Sequence, residues 1–269
     1  MTSKDNSMKI GVFDSGLGGL ILLKAIVKKL PQYDYVYLGD TQRVPYGNRS
    51  QATIYEFTRQ AVDFLFKKNC QLIIVACNTA SAVALRKIQR EYLPKHYPGR
   101  RVLGVIIPTA EASASSSPIG VLATESTVIS KAFIRELNKL NPKVTVYQQA
   151  APLLVPLVEN HAIKWAEPIL KSYLSPLLTY KVRGIILGCT HYPLLKGKIK
   201  KLAKGVRIIS QDEVIPAKLA DYLKRHPDIS SKLTKNGKRE LYVTDLTENI
   251  QDKAKSWFGE ARLLLAKLV

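Results

Sequence analysis

Cysteine, acidic side chains and long apolar runs are all scarce in this chain of 269 residues. Its three cysteines show no Cys-x-x-Cys spacing, which favours reduced thiols over a disulfide framework. No apolar run reaches the roughly 18 residues that a membrane-spanning helix needs. The polar start, MTSKDNSMK, lacks the apolar core of a signal peptide, and its first seven residues are expected to be disordered and dispensable. We therefore expect a cytoplasmic protein without a membrane partner.

The shortage of acidic residues leaves a net charge of +20, because 41 Lys and Arg face 21 Asp and Glu. Such a balance raises nucleic acid as a partner. The densest basic clusters, Lys196–Lys204 and Lys235–Glu240, are short, and the first spaces its lysines among apolar residues as on a solvated helix face. No zinc-finger, RNP or Gly-x-x-Gly signature accompanies them. The pattern favours a solvated basic surface, and nucleic-acid association stays open only as a secondary property.

Two pairs of similar segments indicate an internal repeat. KIGVFDSG begins at Lys9 and PIGVLATE at Pro118, and their isoleucines are 109 residues apart. VACNTASAV and LGCTHYPLL each place a Cys after an apolar run, and these cysteines, Cys77 and Cys189, are 112 residues apart. Because the two offsets nearly agree, we predict a duplicated half.

Each half alternates short apolar runs rich in Val and Ile with longer amphipathic segments. The runs predict strands at Lys9–Phe13, Tyr35–Leu38, Leu72–Ala76, Val102–Ile106, Ile119–Ala123, Val144–Tyr147, Gly184–Leu187 and Val206–Ile209. The longer segments predict helices at Gly18–Leu30, Ser50–Asn69, Thr79–Tyr92, Thr127–Leu140, Ala162–Leu178 and Leu194–Ala203. The tail from Ala217 to Val269 is predicted to be mostly helical. This alternation predicts an α/β fold with two doubly wound domains and mostly parallel sheets.

The unusual polar residues follow the predicted strands, where open α/β sheets bind their ligands. They are Asp14, Ser15, Asp40, Thr41, Cys77, Asn78, Thr79, Thr124, Glu125, Cys189, Thr190 and His191. If the two halves face each other, the repeat places Cys77 and Cys189 on opposite walls of one cleft.

Two opposed thiols suit the inversion of a stereocentre. A thiolate on one face of a carbon removes a proton while a thiol on the other face returns one, and the reverse reaction swaps the roles. This arrangement indicates a two-base racemase or epimerase. His191 could relay protons for Cys189, and Asp14 could do so for Cys77. Neutral donors at strand ends could hold a substrate carboxylate: Ser15, Asn78, Thr79 and Thr190.

Some of these residues and segments also allow other interpretations. Cys70 fits a small buried hydrophobe, and Thr79 could simply cap a helix. A zinc site is disfavoured because Cys189 and His191 lack a second spaced pair. The DSGLGGL segment fits neither a dinucleotide fingerprint nor a Walker loop. A binding protein with an inactive site is the alternative from another class.

Six segments in chain order carry a resemblance to bacterial glutamate racemases. They are GVFDSGLGGL, YLGDTQRVPYG, VACNTASAVAL, IGVLATESTV, LVPLVE and ILGCTHYPLL, between Gly11 and Leu195. The resemblance implies interconversion of L- and D-glutamate without any cofactor or metal, supplying D-glutamate for peptidoglycan. It implies a pseudo-twofold cleft between two domains, residues 1–106 with 217–269 and residues 107–216, since the C-terminal segment returns to the first domain.

The same resemblance assigns residues to roles. It implies catalytic cysteines at Cys77 and Cys189, acting on D- and L-glutamate respectively. The supporting acid residues that it implies are Asp14, Glu159 and His191. The substrate contacts that it implies, besides Asp14 and His191, are Ser15, Tyr46, Gly47, Asn78, Thr79 and Thr190.

Two positions depart from the family pattern. Ala151 stands where many members carry a non-catalytic Cys, and Ile21 replaces the usual Thr or Ser after GLGG. Aspartate racemases, which also use a Cys pair on this type of fold, are the nearest alternative, and a related decarboxylase branch keeps only one of the cysteines. The sequence does not specify an oligomeric state, and a homodimer is among the states that it allows.

Overall fold

The computed structural model describes residues 8–259 and 262–268. The expectation for the first seven residues therefore lies outside the described part of the chain. Within that part, no helix combines the length and the apolar character needed to cross a membrane.

The first half contains four strands, each followed by helix. The strands are β1 (Lys9–Asp14), β2 (Tyr35–Gly39), β3 (Cys70–Val75) and β4 (Arg101–Gly104). The helices are α1 (Gly19–Lys29), α2 (Gln51–Lys67), α3 (Asn78–Val83), α4 (Leu85–Lys87), a π-helical turn (Ile88–Tyr92), α5 (Leu93–His96) and α6 (Ile106–Ser113). Ser50 caps the N-terminus of α2, because its hydroxyl accepts the backbone N–H of Thr53.

The second half repeats the alternation. Its strands are β5 (Ile119–Ala123), β6 (Val146–Ala150), β7 (Gly184–Gly188) and β8 (Arg207–Ile209). Its helices are α7 (Glu125–Ile129), α8 (Ala132–Leu140), α9 (Leu154–Glu159), a 3₁₀ turn (Ile163–Trp165), α10 (Ala166–Thr179), a second 3₁₀ turn (Tyr192–Leu195) and α11 (Lys196–Leu202). The remaining chain forms α12 (Gln211–Arg225), α13 (Pro227–Ser230), β9 (Arg239–Val243), α14 (Glu248–Phe258) and β10 (Leu263–Leu265).

The two halves form separate parallel sheets with the same internal strand order. The first sheet runs β10-β9-β2-β1-β3-β4 and the second runs β6-β5-β7-β8. In each half the first strand therefore lies between the second and the third, and all pairings are parallel. The predicted α/β class with parallel sheets is confirmed, and the common strand order agrees with the repeat seen in the sequence.

Three predicted elements need correction. The tail from Ala217 contains two strands as well as helices, since β9 and β10 extend the first sheet. Their apolar cores are only three residues long, too short to give a periodic signal. The strand predicted to reach Ile106 ends at Gly104, and Ile106 begins α6, because a continuous apolar run does not distinguish strand from helix. The strand predicted at Val144 begins two residues later, since Val144 closes a turn onto the carbonyl of Asn141.

The helix predicted at Thr79–Tyr92 is also wrong in detail, because it is broken at Ala84 and ends in the π-helical turn. The residue that follows this turn by two positions is Pro94, which lacks the N–H that a regular helix would use. The assignment of 1–106 with 217–269 and 107–216 to two domains stays a prediction. Helix α12 crosses the predicted boundary between positions 216 and 217.

Asp34 attaches the C-terminal segment to the first sheet. It immediately precedes β2, and its carboxylate accepts hydrogen bonds from the Thr234 hydroxyl at 2.5 Å and from the Lys238 backbone N–H at 2.7 Å. The Asn236 backbone and side chain donate to the same carboxylate. These bonds place the segment that leads into β9 alongside β2, and they thereby position α14.

We predict that Asp34→Ala lowers the free energy of unfolding at pH 7 by about 2–4 kcal/mol, because it leaves several donors unpaired. Burial opposes ionisation of Asp34, but the hydrogen bonds from Thr234, Lys238 and Asn236 outweigh it and lower the pKa of the carboxyl. A lowered pKa means that the stabilisation is present above the unfolded value of about 3.9 and is lost as the pH falls through the folded value.

Urea denaturation of the wild type and Asp34→Ala between pH 3 and pH 7 measures this difference, which should shrink toward the acid end. The exposed Asp221→Ala is the control and should change stability by less than about 1 kcal/mol. A difference for Asp34→Ala that is small at pH 7, or that grows on acidification, would contradict the prediction.

Candidate active site

The carboxyl ends of both sheets open onto one cavity of about 510 Å³. Cys77 lies two residues beyond β3 and Cys189 directly follows β7, so each cysteine occupies the end of the third strand of its half. Both thiols line this cavity, and both residues are less than 10% exposed. The repeat thus brings two chemically identical groups from different sheets to one cavity.

Cys77 lies at the start of α3, and its hydrogen-bond partners are uncharged. Its thiol donates a hydrogen bond to the Ser15 hydroxyl at 3.3 Å, and the Ala80 backbone N–H donates to its sulfur at 3.4 Å. Burial, with a further contribution from the negative charge of Asp14, raises the pKa of Cys77 to about 12. In the absence of substrate, Cys77 is therefore a thiol and a proton donor.

Cys189 lies at one end of a polar chain. Its sulfur is 3.7 Å from His191 Nδ1, and His191 Nε2 is 2.6 Å from Glu159 Oε1. Burial disfavours the imidazolium, but the hydrogen bonds with Cys189 and Glu159 outweigh burial and raise the pKa of His191 to about 10. The same pairing, with help from Lys253, lowers the pKa of Glu159 to about 2 against the effect of its burial. A cationic imidazole therefore lies beside the sulfur of Cys189.

Asp14 is fully buried behind the cavity wall, at the end of β1. Its carboxyl accepts the Gly16 backbone N–H at 3.0 Å and the Thr190 hydroxyl at 3.1 Å. Burial raises the pKa of Asp14. The relay from Asp14 to Cys77 stays a prediction, whereas the contact with Thr190 joins the first half to the loop that carries Cys189. The close approach needs a glycine at Gly18, where a Cβ would lie 2.5 Å from the Thr190 hydroxyl oxygen.

The predicted donors are held by partners of their own. Asn78 and Gln211 exchange two side-chain amide hydrogen bonds, at 2.8 and 2.7 Å. One N–H of the Asn78 amide remains for a ligand after this exchange, because a side-chain amide carries two. The Thr79 hydroxyl is 2.9 Å from that of Thr124, so this pair bridges the two halves across the cavity.

The loop after β2 forms a further part of the cavity wall. Tyr46 donates its phenolic proton to the buried Asp40 at 2.5 Å, which holds the ring over the cavity. The carbonyl of Gly47 accepts both the backbone N–H of Ser126, at 3.1 Å, and its hydroxyl, at 2.7 Å. Because Ser126 belongs to α7, this loop closes the cavity against the second half.

Ten of the eleven predicted site residues line the cavity, and the remaining one, Asp14, contacts the lining residue Thr190. Sequence reasoning missed Lys253, which lines the cavity and donates to Glu159, and Trp257, whose ring meets the imidazole of His191 edge-on. It also missed Gln211. Lys253 and Trp257 lie in the predicted helical tail, where an amphipathic pattern gives no indication of which side chains reach a distant site.

The arrangement combines two buried thiols that have different neighbours with neutral donors in the wall of one cavity. A thiol beside an uncharged hydroxyl and a sulfur beside an imidazolium can act as acid and base in one step. Burial of donors such as Asn78, Thr79 and Thr190 strengthens their interaction with a developing negative charge. These are the requirements for exchanging a weakly acidic C–H proton.

Comparison with known families and proteins gives one consistent result. A family model described as Asp/Glu/Hydantoin racemase matches residues 11–215. The chain is 41% identical over 258 residues to a glutamate racemase of Aquifex aeolicus, covering 94% of this chain and 95% of that protein.

Solved structures show the same similarity. A glutamate racemase isoform from Bacillus anthracis aligns with a TM-score of 0.88 at 32% identity, covering 97% of this chain and 98% of that one. A glutamate racemase from Francisella tularensis, crystallised in complex with D-glutamate, gives the same TM-score, identity and coverage.

Proposed function

Since the chain belongs to the Asp/Glu/hydantoin racemase family, we propose that it interconverts L- and D-glutamate by a two-base mechanism that uses Cys77 and Cys189. The observation that carries this proposal is the presence of two equivalent thiols, at the ends of the third strands of two equivalent sheets, in the wall of one cavity. The similarity to glutamate racemases at 41% identity supports glutamate as the substrate.

In the proposed reaction, one sulfur removes the α-proton of glutamate as the other delivers its own proton to the opposite face. The C–H bond on the first face breaks to form an S–H bond, and the S–H bond on the second face breaks to form a new C–H bond. The carbon is inverted, and each cysteine ends in the state that the other had at the start. The reverse reaction therefore uses the same two groups with their roles exchanged.

The neighbours of the two thiols favour one starting state. The imidazolium of His191 lies 3.7 Å from the sulfur of Cys189, whereas the raised pKa of Cys77 keeps Cys77 a thiol. Because Cys77 then starts as the proton donor, the proposed reaction starts with Cys189 as the base. If Cys189 acts on L-glutamate, as the family pattern implies, the free enzyme is prepared for that enantiomer. After its conversion the protons must be redistributed before another L-glutamate reacts.

The α-proton of an amino acid is much less acidic than a thiol, so the site must stabilise the charge that develops on the substrate. We propose that Ser15, Asn78, Thr79 and Thr190 hold the substrate carboxylates and the ammonium group, together with Tyr46 and Gly47 from the closing loop. All six line the cavity. Because they are uncharged, they orient the substrate without fixing the proton on either thiol.

We further propose that the D-glutamate formed supplies peptidoglycan synthesis and that the protein works in the cytoplasm. The mechanism requires two reduced thiols, and the three cysteines are free. The cytoplasm is the compartment in which thiols are kept reduced.

Incubation of the purified protein with L-glutamate in D₂O tests the function. Optical rotation should fall to zero while the α-proton signal disappears from the NMR spectrum, and D-glutamate should behave in the same way. L-Aspartate, under identical conditions, should react much more slowly. Retention of both the rotation and the α-proton of glutamate would disprove the proposed activity, and faster reaction of aspartate would reassign the substrate.

We predict that this activity needs no cofactor and no metal ion. The two thiols and the donors around them supply every proton transfer that the proposed reaction requires. Extensive dialysis against EDTA, followed by assay in metal-free buffer, should leave the rate of racemisation within about twofold of the untreated protein. A loss of activity that added metal ions or pyridoxal phosphate restored would contradict this prediction.

A further inference from the structure

We propose that Lys253 is a positioning residue for proton transfer at Cys189, acting through Glu159 and His191. This inference rests on the proposed function and adds to it a residue from the C-terminal helix. It assigns to that helix a role in only one of the two half-reactions.

Lys253 completes a chain of four side chains that starts at the sulfur. Cys189 contacts His191 Nδ1, and His191 Nε2 contacts Oε1 of Glu159 at 2.6 Å. The second carboxylate oxygen, Oε2, accepts the Lys253 ammonium at 2.9 Å. Each oxygen of Glu159 thus has its own cationic or proton-donating partner, so the carboxylate plane is fixed from both sides. A fixed carboxylate in turn holds the imidazole with Nδ1 directed toward Cys189.

The burial of Lys253 distinguishes its ion pair with Glu159 from an ordinary ion pair on the surface. Its side chain is only 12% exposed and that of Glu159 is 26% exposed. Among the described residues, Lys253 is the one lysine or arginine that lines the cavity. A buried ammonium is costly unless it is paired, and here its partner is the residue that orients His191.

Helix α14 supports the imidazole at a second point. Trp257 is one turn beyond Lys253, on the same face of α14, and its ring meets that of His191 edge-on at a centroid distance of 5.7 Å. Trp257 and Ala254 are buried in the same core cluster as Leu20 and Leu23 of α1. The helix therefore packs on the first half, while its Lys253 contacts Glu159 and its Trp257 contacts His191 in the second half.

The test separates the two half-reactions with 3-chloroglutamate. Removal of its α-proton expels chloride from Cβ, and the resulting enamine tautomerises and is hydrolysed by water to 2-oxoglutarate and ammonium. One cysteine suffices as the base for each enantiomer, and the reaction is irreversible. Cys77→Ser retains Cys189 as the base. The enantiomer that this variant still processes is therefore the one on which Cys189 acts, called here the Cys189 enantiomer.

Lys253→Met should lower kcat for elimination from the Cys189 enantiomer by about 10–100-fold, the size expected for losing a buried charged hydrogen bond. Elimination from the other enantiomer should stay within about twofold of the wild type. Lys253→Arg, which keeps the charge, should retain at least roughly a third of the wild-type rate. Lys255→Met removes an exposed lysine from the same helix and should leave both rates unchanged.

Several outcomes would overturn the inference. Equal losses with both enantiomers would mean that Lys253 only stabilises the fold, and circular dichroism would show whether Lys253→Met is folded. If Lys253→Met is unfolded, Lys253→Arg and Lys253→Gln replace it in the test. The same quantity is then compared, namely the ratio of the elimination rates for the two enantiomers of 3-chloroglutamate. A raised KM for both enantiomers with unchanged kcat would make Lys253 a substrate contact instead. If the wild type itself fails to racemise glutamate, the proposed function is wrong, whereas failure of the variants alone removes only this inference.

Discussion

Replacing either Cys77 or Cys189 by serine should lower the racemisation of glutamate by at least ~10²–10⁴-fold, the usual contribution of a positioned acid or base. Inversion needs both thiols, so the loss of one stops the conversion of one enantiomer into the other. Serine is a far weaker base than a thiolate, and its hydroxyl can therefore not replace the missing sulfur. The rate is measured by circular dichroism of glutamate, starting from each enantiomer.

The stereochemical assignment has to come from a half-reaction. The two enantiomers of glutamate have equal free energies in water, so kcat/KM must be the same in both directions for every variant of a racemase. Elimination from 3-chloroglutamate escapes this constraint because it is irreversible. Cys77→Ser should process only one enantiomer of that analogue, and Cys189→Ser only the other. From the family pattern we expect Cys189 to act on the L-enantiomer and Cys77 on the D-enantiomer.

Cys70→Ser is the matched control for these two variants. Cys70 is fully buried in β3, beside Gly11 of the neighbouring strand, and it lies outside the cavity wall. Its replacement should reduce stability and leave the racemisation rate within a few-fold. The two-base mechanism fails if Cys77→Ser or Cys189→Ser keeps near wild-type racemisation, or if both variants prefer the same enantiomer in the elimination.

The second large effect is expected for Glu159→Gln, which should lower kcat by roughly 10–10³-fold, since it removes the group that orients the neighbour of a base. Glutamine keeps the shape of the side chain but loses the negative charge that faces His191 and Lys253. The imidazole then loses a fixed acceptor at Nε2, and with it the orientation of Nδ1 toward Cys189. Elimination from the Cys189 enantiomer of 3-chloroglutamate should fall with kcat.

The pH dependence gives an independent measure of this variant. Hydrogen bonds with Cys189 and Glu159 raise the pKa of His191 to about 10, so the wild-type imidazole stays protonated throughout the neutral range. Without the charge of Glu159, this pKa must fall toward the ordinary value of about 6.5. The alkaline limb of the kcat profile should therefore move to lower pH in Glu159→Gln.

Glu167→Gln serves as the control, because Glu167 is an exposed glutamate on α10 that forms an ion pair with Lys171. Its kcat and pH profile should match those of the wild type. An unchanged alkaline limb in Glu159→Gln would mean that Glu159 does not control the protonation of His191.

Much of the site could be predicted because its residues follow from local signals. Cys77 and Cys189 each stand just beyond a short apolar strand, and the carboxyl ends of parallel strands are where such folds bind ligands. Glu159 is different, because its position next to a loop gave no local indication of a role. Only its match to a family motif, LVPLVE, indicated it, and the structure places it 2.6 Å from His191.

The secondary structure was predictable where the apolar runs were long and bounded. Strand β5 begins and ends where its sequence indicates, whereas β9 and β10 were missed in the tail. A strand with only three consecutive apolar residues, such as β9 between β10 and β2 or β10 at the edge of the sheet, is stabilised by its pairing partners rather than by its own periodicity. Such an element exists only in the context of the completed sheet.

By itself the sequence determined the class of fold, the repeat and the placement of two thiols at equivalent strand ends, because these depend on residue order over short stretches. The tertiary structure alone decided the contacts between distant segments. Lys253 reaches Glu159 across 94 positions of the chain, and Thr190 reaches Asp14 across 176. No periodic pattern encodes such a pairing, since it depends on how the two sheets and α14 pack against each other. That packing gives the two identical thiols different neighbours, an uncharged serine beside one and an imidazolium beside the other.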